Sequence, residues 1–214
     1  QIFWKFLSEN HRNELLPSLE SDLWNLLQQN RSPNLKKTIF LLYSGLAYNS
    51  RGLDRLQSVW SKKTSLPQLT LNPDNYTSLA MNLALFGHQE SEKILDEERT
   101  RITNGDRLAR FDFLRSALSK EQAIREAFFL SFQEEKNREK EAWVLSACGY
   151  LHHPLRQKEM SQHLTIALDL LPEIQKTGDI FFPKGWLINT IGQYSSKEAY
   201  DLVNQFISTN PNLN

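Results

Sequence analysis

The side chains with chemical potential in this sequence gather at two helix junctions. His152, His153 and Arg156 surround Pro154 in Tyr150-Leu151-His152-His153-Pro154-Leu155-Arg156. Asp179 and Lys184 enclose aromatic residues in Gly178-Asp179-Ile180-Phe181-Phe182-Pro183-Lys184-Gly185-Trp186. Loops held between rigid helices are where functional groups concentrate, so these five residues are the candidates for a substrate path. They do not assemble a metal centre. Adjacent histidines point in different directions, Arg156 and Gln157 hold the helical partner positions, and His163 is expected to lie too far along its helix to share their face. A metal would need ligands from elsewhere, and a polar junction paired to backbone carbonyls is the expectation. The chain has no Gly-x-Ser-x-Gly, no phosphate loop and no His-Glu-x-x-His, so no catalytic residue and no metal ligand is assigned.

Lys184 poses a different question. Gly178 reads as the end of one helix and Pro183 as the start of the next. Lys184 then falls in a first turn, where the helix dipole disfavours a cation. Its placement makes sense if it meets an anion: Asp179, a neighbouring domain or a ligand carboxylate. Phe181, Phe182 and Trp186 are expected as core wedges, and Cys148, within Ala147-Cys148-Gly149, as a small core residue. The run 133–141 is charged and balanced, which predicts a solvated turn. Arg107, Arg110 and Arg115 share one helix with Asp112 interleaved, which predicts local ion pairing rather than a nucleic-acid stripe.

The elements that position these residues read as helices nearly throughout. Leu15, Leu16, Leu19, Leu23, Trp24, Leu26 and Leu27 recur at three- and four-residue spacing, with Pro17 expected to kink or restart that helix. Asn72-Pro73 is a start signal and Gly87 a stop. Ser119-Lys-Glu-Gln122 and Ser195-Ser-Lys-Glu198 have capping-box spacing. One longer helix is expected from Leu155 to Ile174. No segment alternates with period two for long enough to argue a sheet. The reading is all-α, with about ten or eleven helices joined by short turns. Consecutive hairpins of this kind stack, and without strict self-similarity the stack is an irregular superhelical, HEAT- or armadillo-like solenoid in one domain over 1–214.

Composition narrows the partners. Lysine plus arginine and aspartate plus glutamate number 25 each in 214 residues, a balance that argues against nucleic acid. One cysteine excludes an internal disulfide and any multi-cysteine zinc site. No apolar run approaches the roughly 20 residues of a membrane span. The opening Gln1-Ile2-Phe3-Trp4-Lys5-Phe6-Leu7 is apolar and lacks an initiating methionine, so the chain is expected to be a piece of something longer, with any targeting segment outside it.

Leu151-His-His-Pro-Leu-Arg156, Gly178-Asp-Ile-Phe-Phe-Pro-Lys184 and Asn137-Arg-Glu-Lys-Glu-Ala-Trp143 closely resemble the C-terminal helical domain of bacterial zinc aminopeptidases of the aminopeptidase N type. Asp74-Asn-Tyr-Thr-Ser-Leu-Ala80 and Asn104-Gly-Asp-Arg107 fit the same pattern, from about Ile2 through Phe206. Gly185 departs from it, standing where a larger polar or basic residue commonly precedes the tryptophan. The resemblance implies a parent enzyme whose catalytic domain, not this one, holds zinc through His-Glu-x-x-His and a later glutamate. It implies a non-catalytic domain that covers the active-site cavity and limits access of peptide substrates. Its partners would be that catalytic domain and peptides, and its cofactors none. Bacterial relatives are often exported, which makes a periplasmic or cell-envelope parent the implied location. The residues alone also admit a free-standing helical scaffold that binds a protein or peptide in its concave face.

Overall fold

The computed structural model describes residues 2–211. Every regular element among them is helical. Among the described residues no helix is long and apolar enough to cross a membrane. The chain divides into two compact units, Gln1–Phe111 and Asp112–Asn214.

The first unit contains α1 (Ile2–Lys5), α2 (Glu9–Gln28), α3 (Pro33–Ser44), α4 (Ser50–Trp60), α5 (Pro73–Leu85) and α6 (Ser91–Arg101), and α7 (Gly105–Arg115) begins in it. Ser8 caps α2 by accepting from the backbone N–H of His11. Leu16, Leu23 and Leu27 then turn one stripe inward. The helix continues through Pro17 rather than restarting there. α3 returns antiparallel to it: Tyr48, just past α3, donates to Asn13 near the start of α2 (2.7 Å), while Tyr43 meets Trp24 further along (5.3 Å between rings). The opening apolar segment is partly covered, because Trp4 stacks on Phe86 and donates to the Gly45 carbonyl (2.8 Å).

Asn72 and Asn75 form a reciprocal capping box at the start of α5, and Pro73 occupies the first turn. Gly87 follows α5 at φ +77, the left-handed conformation that a stop of this kind needs. α5 and α6 are antiparallel neighbours, since Thr77 at the start of one donates to Glu98 at the end of the other (2.8 Å). Asn104 accepts from the N–H of Arg107 and so caps α7.

The second unit holds α8 (Gln122–Ser131), α9 (Glu141–Leu151), α10 (Gln157–Met160), α11 (Leu164–Asp169), α12 (Leu171–Thr177), α13 (Phe182–Asn189) and α14 (Lys197–Thr209). Its core is aromatic: Trp186 stacks on Phe129 (6.0 Å) and stands edge-on to Phe132 and Phe182. Burial of side chains this large stabilises a unit by several kcal/mol each. Gly185 lets α13 approach α9, since a Cβ there would lie 2.5 Å from Leu145 Cδ1.

Three expectations need correction. The single helix from Leu155 to Ile174 is a chain of short segments, with 3-10 turns at Pro154–Arg156 and Ser161–His163 and a break before α12. Pro172 lies in the first turn of α12, where its missing N–H and bulky ring favour a new start over continuation. This breakage puts three helices, α10, α11 and α12, where one was expected. Neither serine capping box forms as spaced: Ser119 accepts from the N–H of Glu121 ahead of α8, and Ser196, not Ser195, caps α14. The run 133–141 is not wholly solvated, because Arg138 is buried and donates to the Phe132 carbonyl and to Glu173.

Candidate functional site

All five candidate residues lie in the second unit, in two separate places. His152 is the C-cap of α9 and is fully buried. Its Nδ1 lies 2.8 Å from the Tyr194 hydroxyl, and its ring stands edge-on to Phe129 at 4.9 Å. Burial, assisted by His163, lowers its pKa to about 3, so the imidazole is neutral. His153 begins the 3-10 turn by accepting from the N–H of Leu155 (3.3 Å). Arg156 is buried and donates to the carbonyls of Ala117 and Tyr150. Burial, with Arg125 nearby, brings its pKa down to about 10, and Glu159 acts the other way. It therefore stays protonated at neutral pH and ties the junction to the segment before α8. His152 and Arg156 are buried brackets of the fold.

His163 departs from expectation. The broken helix brings it against Phe129 at 5.9 Å, the ring that His152 also meets. The Nε2 atoms of both histidines are buried without a hydrogen-bond partner. No third ligand joins them: among the described residues no group of three or more His, Cys, Asp or Glu side chains could hold a metal ion. Cys148 is buried, and desolvation pushes its thiol pKa up, away from a reactive thiolate.

The second place is the entry to α13. Asp179 accepts from the N–H of Phe181 (2.9 Å), while its own N–H donates to Glu141 (2.8 Å). Its Oδ1 supports the turn, and the carboxylate makes no ion pair with Lys184 among the described residues. Lys184 is exposed and has no hydrogen-bond or ion-pair partner among the described residues. Phe182 and Trp186 are core wedges, but Phe181 is not: it is 76% exposed beside Ile180 at 83%. The start of α13 therefore presents two large apolar side chains and an uncompensated cation to its surroundings.

In the second unit two buried arginines escaped the sequence reading. Arg125 binds the carbonyls of Ser119 and Lys120 and pairs with Glu159, as Arg138 pairs with Glu173. Arg125 lies four residues before the core Phe129, on the same helical face, which is a usable signal. Arg138 sits in a short turn, where no periodicity points to it.

No protein-family model matches the chain, and comparison with curated proteins gives no match.

Proposed function

We propose that this chain is the non-catalytic helical domain of a zinc aminopeptidase of the aminopeptidase N type, covering the active-site cavity and limiting which peptides enter. The observation that carries this reading is the set of five sequence words, in family order, from Asp74-Asn-Tyr-Thr-Ser-Leu-Ala80 to Gly178-Asp-Ile-Phe-Phe-Pro-Lys184. The exposed Ile180, Phe181 and Lys184 support it, since a domain that meets another domain or a peptide needs an apolar contact and a charge to orient it. In this reading Lys184 and Asp179 lie at the contacting edge, while His152, His153 and Arg156 brace a separate junction of the same unit.

The coding sequence upstream tests the proposal. A His-Glu-x-x-His motif followed by a further glutamate is expected within the preceding few hundred codons. The isolated chain should release no arylamine from amino-acid arylamides, with or without added zinc. An upstream region without the motif, or zinc-dependent turnover by the purified chain, would overturn the reading. A free-standing helical scaffold is the outcome if the motif is missing.

A further inference from the structure

A cavity of about 420 Å³ opens in the first unit, between the end of α6 and the start of α5. Its polar wall is already organised. Glu98, 2% exposed, accepts from Trp60 Nε1 (2.9 Å), Thr77 Oγ1 (2.8 Å) and Arg101 Nη1 (3.4 Å). Arg101 lies over the Trp60 ring at 4.2 Å, and Arg107 pairs with Asp74 at 2.5 Å. Each of these guanidiniums therefore has a carboxylate of its own. Lys62 is different. Its ammonium sits 5.3 Å above the Tyr76 ring and forms no ion pair among the described residues.

The backbone at Lys62 sharpens the point. It adopts φ +60 just after α4, with its N–H bonded to the Val59 carbonyl. Glycine is the favoured residue in that left-handed position, and a β-carbon there is a destabilising choice. Lysine brings a side chain to this place at a conformational cost. The loop carrying it is fixed: buried Lys36 donates to the Pro67 carbonyl (2.6 Å), and Leu66 is buried. Lys62 also borders a second cavity of about 260 Å³, lined by the apolar Val59, Leu66, Leu69 and Leu71 and by the polar Thr64 and Ser65. Lys62, exposed and without an ion pair among the described residues, thus borders both cavities.

We infer that this place binds a small apolar monocarboxylate, its carboxylate on Lys62 and its apolar body against Tyr76 and Leu71. A single free cation matches a single negative charge, and a preorganised cavity with a few fixed polar groups is the usual form of a small-molecule site. The inference is independent of the aminopeptidase reading, because it uses only the first unit.

The test is an amide-shift titration of the isotopically labelled chain with 3-phenylpropionate, with neutral 3-phenylpropionamide in parallel. The acid should shift the amides of Tyr76, Thr77 and Ile102 and bind about tenfold more tightly than the amide, the preference of one partly solvated charge pair. Lys62→Gly suits the left-handed backbone, so it should keep the fold and lose the preference. Lys62→Met, which keeps most of the stem, should lose it as well. Equal binding of acid and amide, no shift at those amides, or an undiminished preference in both variants would overturn the inference. So would inorganic phosphate binding as tightly as the acid, since the apolar body would then contribute nothing.

Discussion

His152 is held neutral by desolvation, and that couples the second unit to pH. Its neighbours are Tyr194, Phe129 and His163, none of which supplies a negative charge to an imidazolium. The unfolded chain protonates this residue near 6.5, whereas the folded chain does so only near 3. Between those values the unfolded state binds the extra proton, so the stability contributed by neutral His152 is complete above 6.5 and is lost as pH falls. A drop from pH 7 to pH 5 should therefore remove roughly 2 kcal/mol. Glu20, in the first unit, works in the opposite direction because burial raises its pKa, so the comparison must be made between variants. Urea unfolding of the parent chain and of His152→Gln at both pH values measures the difference. The variant should be less stable at pH 7 yet show a visibly shallower pH dependence. Identical slopes would mean that solvent reaches the imidazole in the folded chain.

Helix entry and exit in the second unit depend on close approaches that glycine permits, and two of these differ in kind. A Cβ at Gly178 would stand 2.8 Å from the Ile174 carbonyl oxygen and 2.7 Å from a ring carbon of Phe182. Backbone and a packed core ring cannot easily give way, so Gly178→Ala should destabilise by about 2 kcal/mol. At Gly185 the obstruction is the end of the Leu145 side chain, which can rotate, and alanine gains up to about 1 kcal/mol of helix propensity within α13. Gly185→Ala should therefore lie within about 1 kcal/mol of the parent. Denaturant midpoints of the two variants rank them, and a larger loss at Gly185 would contradict the geometry. These elements also show what the sequence could reveal. Apolar stripes such as Leu16, Leu23 and Leu27 were legible because burial follows helical spacing, and Asn72-Pro73 was legible because a cap is a local device. The breaks between Leu155 and Ile174 were not, although Pro172 marked one, because the turns answer to tertiary partners such as Arg156 with Ala117. The same misreading hid the approach of His163 to the Phe129 ring that His152 meets, and Glu98 went unremarked although it follows Ile94 and Leu95 on the inward stripe.

At the scale of the molecule, charge balance and an all-helical architecture leave local surfaces to define partners. The entry to α13 is the clearest such surface in the second unit, with Phe181 and Ile180 exposed and Lys184 unpaired among the described residues. Asp179 makes no ion pair with Lys184 among the described residues, which leaves a neighbouring domain or the carboxylate of a ligand as its anion. The proposed function separates these kinetically. A peptide long enough to reach the helical domain would feel Lys184, whereas a single-residue arylamide would not. In the full enzyme, Lys184→Ala should raise KM for peptides roughly two- to fivefold, the scale of an exposed ion pair, and leave kcat nearly unchanged. Arylamide turnover should be unaffected. Steady-state kinetics on a tetrapeptide or longer substrate beside an aminoacyl arylamide make the measurement. Equal changes for both substrates would take Lys184 off the substrate path and assign it to the contact between domains, where its loss alters closure for every substrate alike.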